Sequence, residues 1–474
     1  MKEKLKTLLL LFLVGTSLAM TQKLWIQFPE RVTSFFEPQP SYSSSYLLSD
    51  MIAPNKYLIN FEKNKTTIIY DASKYGLWDS AKKVIAQVIN STSIKTEELE
   101  QGLNHNNLNN QSIVFYLPEK MSANIVAMAW EVKEPNRIVD AVPYIESISI
   151  VMGDGDPFFV FSGDGKHLKV YDNAINLDEI KMDLRSIEEN DDFDYYYSMS
   201  EIFELGGNDI FIPYEIRNNL AAVFVKNDLA NMNKADKETL AQRFLEKDKD
   251  YLRQIVENNG STIYINDNRV LKFNLNGTVE YFHSLEDKVE DRNLYLSLSA
   301  AADFISKKAY SAKGMYLAET DEIEAEGSLG YKFVFKYRVR GIPVLLGNRE
   351  VNEYVQMEVF NSQVRSYRQL FRGEMNIDIS QIQTTDSLLS SFDVIDRNYI
   401  FFESEYLKAT GLTKEELGDS VIQKVLSSIE DITIAYYDSG LMEQRERLVT
   451  IWQIKANSKI YAFNAYSGKL VYER

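Results

Sequence analysis

A single stretch of this chain is apolar enough to approach the thickness of a bilayer, and it lies near the N-terminus: Leu8 to Met20, LLLLFLVGTSLAM, behind the basic hexapeptide MKEKLK. No other segment comes near spanning length, so residues 29–474 are expected on one side of a membrane whichever way the segment is used. Two uses compete. A basic leader, an apolar run of this length and the small residues Ser17 and Ala19 fit a cleaved signal peptide. An uncleaved helix fits too. A span needs about 20 residues, and the segment reaches that from Leu5 to Phe28 if Lys23 snorkels, Trp25 sits in the interfacial belt and Pro29 stops the helix. On that reading residues 1–6 are a cytoplasmic tail and 7–28 the transmembrane helix. Its anchoring side chains are Leu8, Leu9, Leu10, Leu11, Phe12, Leu13, Val14, Leu18 and Trp25.

The remainder of the chain is strongly acidic. The net charge is −17; residues 1–28 hold four lysines against Glu3, or +3, which leaves −20 on the rest. Such a body repels polyanions, so DNA and RNA binding are rejected, and it should stand off anionic headgroups except where its own anchor holds it. The chain has no cysteine. Disulfides, thiolate catalysis, cysteine-type zinc sites and a lipid-modified cysteine anchor are therefore excluded together. A hydrophobic share of 45%, with 29 Tyr and 25 Phe, marks a folded chain with well-filled cores built partly from strands.

The fold class read from the pattern is α+β: one N-terminal span, then a multi-domain extracytoplasmic body of antiparallel sheets with packed helices. Residues 29–56, with their Pro and Ser content, read as a stalk or entry segment. Residues 57–190 form an N-terminal α+β domain, with a helix over 73–89 (Leu77, Trp78, Ala81, Ile85 and Val88 on one face) and an Asn-rich loop around His105. It continues with a strand through Ile113, Phe115 and Leu117, a hairpin turning at Asp164-Gly165, and an acidic loop over 186–195. Residues 191–284 form a central α+β domain. The pattern predicts helix over 212–258, with Ile216, Leu220 and Phe224 sharing a face and a charged helix over Asp236–Glu257, then a hairpin turning at Asn276-Gly277. Residues 285–474 form a C-terminal α+β domain. It has a helix at 292–308, strands over 331–344 and 353–370, and a helix at 414–430 opened by Thr413 as N-cap; that helix buries Leu417, Val421, Val425 and Ile429. Two strands close the chain. Similar hairpins recur near 158–171, 263–283, 355–370 and 460–472, either because the modules are related or because hairpins look alike.

No reaction centre stands out. His105, His167 and His283 are far apart and lack metal spacing, and no G-x-S-x-G elbow, phosphate loop or dinucleotide fingerprint is present. Asp154, Asp156 and Asp164 sit in turn sequences without the terminal glutamate of a calcium loop, and turn chemistry accounts for them. With 69 acidic residues some carboxylates must lie close together, so pairing alone says nothing. No catalytic residue, metal ligand or cofactor is assigned, and the chain is expected not to be an enzyme. Two other classes remain open: an exported wall-active or peptidase-like enzyme with an unrecognised site, and a PepSY-like inhibitor or chaperone of an exported enzyme.

Four segments carry a resemblance. RVLKFNLNGTVEYFH is similar to a family hairpin with an Asn/Asp-Gly turn and a Val-Glu-Tyr strand. FVFKYRVRGIPVLLGN and VQMEVFNSQVRSYRQLFR resemble a Gly-Pro stretch (Gly341, Pro343) and its return strand. IWQIKANSKIYAFNAYSGKLVYE resembles a terminal hairpin shared with a companion family, YycI, and with PepSY-type modules. Together they resemble the YycH (WalH) family, accessory regulators of the WalK/WalR (YycG/YycF) two-component system of Gram-positive bacteria. The resemblance implies an uncleaved anchor in the cell membrane, an extracellular body, the sensor kinase WalK and the companion YycI as partners, and an effect on cell-wall metabolism. Self-association into a homo-oligomer is compatible with it.

A single span acts on a partner in lipid by helix packing, where small residues permit close approach. Gly15, Thr16, Ser17 and Ala19 cluster in this way, with Gly15 and Ala19 four apart on one face. Replacing both Gly15 and Ala19 with Leu is expected to weaken co-purification with the kinase; unchanged association would discard this packing face.

Overall fold

The computed structural model describes residues 47–474 except 62–64, 71–75, 104–109, 154–155, 173, 206–209, 214–215, 217–219, 221, 230–231, 349, 376–386 and 441–445. The tail, the 7–28 span with Gly15, Ser17 and Ala19, most of the proposed stalk, His105 and Asp154 lie outside the described residues. Among the described residues no helix is long and apolar enough to cross a membrane. Tyr46–Arg474 forms one compact unit. Its start is already folded: the Leu48–Met51 turn buries Met51 and Ile52.

The described strands form three sheets. The first has nine strands, in the order Lys95–Leu99, Lys166–Tyr171, Phe158–Gly163, Tyr144–Met152, Gln111–Ser122, Lys56–Phe61, Lys65–Ile69, Tyr196–Ser198 and Phe211–Pro213. Its centre is buried on both faces: in Lys56–Phe61 (KYLINF) the five residues after Lys56 are all buried, Asn60 among them, rather than alternating in and out. Tyr57, Ile59 and Phe61 join Ile113 and Phe115 under the helices Leu77–Asn90 and Asp178–Asn190. Leu58 and Val114 point the other way, into a core with Ile432, Ile434, Trp452 and Ile454 of the C-terminal strands. Lys56 Nζ reaches Asp431 at 3.0 Å across that join.

The second sheet has thirteen strands. Its path runs from Arg253–Val256 through Thr262–Asn266, Arg269–Phe273, Thr278–His283, Gln363–Leu370, Val355–Phe360 and Ser328–Val339. It continues through Ile342–Leu346, Ile429–Asp438, Val449–Ala456 and Lys459–Asn464 to Leu470–Glu473, with Met315–Ala325 paired to Ser328–Val339 off the path. Every pairing is antiparallel except Ile342–Leu346 with Ile429–Asp438, the parallel seam between its two halves. The third sheet is a ribbon of Arg372–Glu374, Phe224–Asn227 and Glu446–Arg447.

At the seam lies a buried charge cluster. Arg372 donates twice to Asp438, Nε to Oδ2 at 2.8 Å and Nη2 to Oδ1 at 2.7 Å, and also pairs with Glu446. The Gly440 N–H and the Tyr337 hydroxyl also donate to the Asp438 carboxylate, at 2.8 and 3.3 Å. Burial disfavours the charged guanidinium, but the two carboxylates outweigh it and hold the Arg372 pKa above its ordinary value.

The hairpin turns at Asp164-Gly165 and Asn276-Gly277 form as the sequence predicts, with positive φ at Asp164, Gly165 and Gly277. Thr413 caps its helix in a reciprocal box with Glu416. Several expectations are corrected. The acidic stretch 186–195 is helical up to Asn190, because Ile180, Leu184 and Ile187 bury one stripe of the helix and leave its charges in water. The charged helix ends at Leu245, with Glu246 in the left-handed region, and Arg253–Val256 is a strand; beyond Leu245 the apolar residues no longer recur every three or four positions. Ile216 and Leu220 are not helical, and Phe224 begins a strand. The 414–430 helix is interrupted at Gly418 (φ 55°) and re-forms as Val421–Ser427, although Leu417, Val421, Val425 and Ile429 are all buried as expected. The helices Ser391–Arg397 and Tyr399–Thr410 have no counterpart in the sequence reading.

Removing one member of a buried ion pair leaves its partner desolvated and alone, at a cost of roughly 3–5 kcal/mol. Arg372→Met is therefore expected to lower the unfolding free energy by about 3–5 kcal/mol in urea titrations, and Arg372→Met/Asp438→Leu by less. Equal losses in both would refute this account of the cluster.

Candidate functional site

A cleft of about 550 Å³ opens between the helix Leu294–Lys308 and the first strands of the long sheet. Four of its polar side chains come from the ends of elements. Lys308 closes that helix, Glu246 follows the last residue of Lys234–Leu245, Arg269 opens its strand and His283 closes the next. Arg269 and His283 face each other across the hairpin register. The apolar wall is aromatic: Tyr281 lies 5.3 Å from Phe304 and 6.0 Å from Phe244, measured between ring centroids.

Glu246 bridges two cations, Lys308 Nζ at 2.7 Å and Arg269 Nη1 at 3.0 Å. Lys308 also donates to the Arg243 carbonyl. These bonds hold the Glu246 carboxyl below its ordinary pKa, with Lys308 the largest contributor. Burial pulls the Lys308 pKa down, and Glu246 restores part of it. Glu246 is therefore a fixed anion rather than a proton donor. His283 is buried, with Nδ1 3.4 Å from Gln363 Nε2 and Nε2 3.4 Å from Glu286 Oε1. Burial first, then Arg269, lowers its pKa, against the opposing carboxylates of Glu286 and Glu246. Its ring faces an amide and a carboxylate rather than a hydroxyl, which is not the nucleophile–base geometry of acyl transfer.

The histidines are not brought together: His167 sits in the nine-stranded sheet, 2.9 Å from Ser162 Oγ, and His283 in the long sheet. Asp164 is engaged by Lys120 at 2.9 Å. Among the described residues no group of three His, Asp or Glu could hold a metal ion. Glu246, Arg269 and Lys308 carry no mark in the sequence. They come from three separate elements, and a lysine pair ending a helix carries the ordinary signature of a solvated C-terminus.

No family model matches the chain, and no curated protein matches it in sequence. Among solved structures, YycH from Bacillus subtilis has the same fold, with a TM-score of 0.54 over 89% of this chain and 98% of that one at 12% identity. The fold resemblance read from the sequence is borne out there. A Eubacterium rectale protein overlaps 56% of this chain and 91% of its own at TM-score 0.35 and 11% identity. The C-terminal domain of Bacillus megaterium YpeB overlaps 51% of this chain and 97% of its own at TM-score 0.27 and 11% identity. These last two overlaps are too loose to show a shared fold.

His283 yields a pH test. Its folded pKa lies below the ordinary 6.5, so the unfolded chain takes up the proton first and stability falls as pH drops through that value. Melting curves at about pH 7.5 and about pH 5 should show a smaller acid-induced loss in His283→Gln than in the unaltered chain. The same loss in both would show that His283 does not carry the effect.

Proposed function

We propose that this chain is an accessory regulator of a WalK-type sensor kinase. It acts together with a YycI-like companion from the outer side of the cell membrane, and it works by contact rather than by catalysis. The observation that carries the reading is the fold shared with YycH over 98% of that chain. Two features of this chain support it. Residues 7–28 supply one apolar segment with a small-residue face, the device by which a single-pass protein reaches other helices in lipid. In the cleft Glu246 pairs with Lys308 and Arg269, and Lys307 with Asp303, as in a structural surface rather than a reaction centre. The downstream consequence of this role is altered control of cell-wall metabolism.

Physically, the regulator biases the kinase only through a difference in contact energy between the kinase's signalling states. The span supplies such a difference by packing against the kinase's helices, and the body supplies it by holding the span and the companion in one orientation. The body's −20 charge gives no attraction to the anionic membrane surface, so the helix sets its height and the body remains free to meet other ectodomains.

The test is a membrane pull-down of the full chain alongside a variant in which residues 7–28 are exchanged for an unrelated single span. The intact chain should retain the kinase and the exchanged one should lose it while keeping its body folded. Failure of the intact chain to retain the kinase would overturn the proposal.

A further inference from the structure

The long sheet begins at Arg253–Val256, and among the described residues no strand lies on its outer side. The strand pairs with Thr262–Asn266 without a bulge. The other terminal strand, Leu470–Glu473, carries a register shift against Lys459–Asn464, a common device for turning an edge away from new partners. The Arg253 edge has no such protection, and it is flanked by apolar side chains in water: Tyr251 is 71% exposed at one end, and Val256 (64%) and Leu275 (63%) at the other. Leu275 lies against the turn at Gly260 that comes after the strand.

The hydrogen-bond alternation is fixed by Glu257, whose N–H donates to the Ser261 carbonyl at 2.9 Å. Residues 253, 255 and 257 thus spend their backbone groups inside the sheet, and Gln254 and Val256 point theirs outward. We propose that two copies of this chain join through this edge, antiparallel, about a two-fold axis at Ile255. In that register Gln254 and the partner's Val256 exchange backbone hydrogen bonds, and the symmetric pair repeats them. Arg253 stands opposite the partner's Glu257, twice, on the sheet face away from the helices. Glu257 already holds Lys272 at 2.9 Å, so each interface carboxylate lies between two cations. The Tyr251 end of one copy meets the Leu275 end of the other, covering both exposed groups. The arrangement closes, as two-fold pairings do, and leaves no new edge at the join. A contact this short is weak in dilute solution and gains from any tether that concentrates the copies.

The cysteine-free sequence makes the test clean. At a non-hydrogen-bonded antiparallel pair the Cα atoms are about 4.5 Å apart, inside the disulfide range of about 4.4–6.8 Å. Full-length Ile255→Cys, exposed to copper phenanthroline, which cycles between Cu(II) and Cu(I) and passes the two electrons of each disulfide to dissolved oxygen, should form a disulfide-linked dimer about tenfold faster than Leu470→Cys, an exposed control on the bulged edge. Adding Arg253→Glu should cut that rate about tenfold, and Arg253→Glu/Glu257→Arg should restore it. The cysteine-free chain, compared with its own Arg253→Glu variant by sedimentation, should show the same loss of dimer. Cross-linking of Ile255→Cys no faster than the control, or no recovery on charge exchange, would overturn the pairing.

Discussion

The architecture depends on a fully buried ion pair. Arg372 leads out of the long sheet's first half into the three-stranded ribbon, and Asp438 ends a strand of the second half. Their bidentate contact, with Glu446 from the ribbon's far strand, fixes three segments at one point. The Asp438 backbone takes part as well, its carbonyl accepting from the Gly347 N–H at 2.9 Å beside the parallel seam. Desolvating such charges is costly, and hydrophobic replacements often match or exceed a buried pair in stability. What an apolar core lacks is direction: a planar guanidinium accepts its carboxylate in few geometries. The seam itself is short, with three residue pairs in register, and it needs a directional contact to keep its halves aligned.

A second constraint ties the N-terminal sheet to the same body. With Tyr57, Ile59 and Phe61 in one core and Leu58 in another, the Lys56–Phe61 strand belongs to two layers at once. A one-residue slip would exchange both sets of side chains, so the register is doubly specified. Helices cover the outer face of this sheet and the C-terminal strands cover the inner one, so the body has few ways to hinge at this strand. A body of this kind holds its surfaces in a fixed relation to one another.

How much the sequence disclosed depends on range. Turns such as Asn276-Gly277 and the Thr413–Glu416 cap are set by residues within a few positions of one another, and they form as read. The soft motifs of the family resemblance are also local hairpins, and they lie in one sheet. Charge misled the reading in both directions. It hid the Asp178–Asn190 helix, where three apolar side chains suffice to seat one stripe, and it extended the next helix past Leu245, where lysines and glutamates fit a helix as well as a loop. The cleft was illegible for a different reason. Glu246, Arg269 and Lys308 meet only because a helix end, a post-helix residue and a strand start converge, and no spacing in the chain records that.

The acidic surface and the proposed contact function are compatible because of their different ranges. Two bodies of −20 repel at a distance, but the Debye length at physiological ionic strength is about 8 Å, so the repulsion is felt only near contact. There the outcome depends on which side chains touch. Arg253 beside Glu257 on a bare strand edge is an alternating pattern that antiparallel pairing with itself turns into attraction, while elsewhere the excess of 69 acidic over 52 basic residues makes a random contact repulsive on average. Net charge of this size therefore acts as a filter: it suppresses nonspecific association and leaves those few patches whose local complementarity overcomes it. If the chain works by contact as proposed, selectivity of this kind is obtained without a deep pocket.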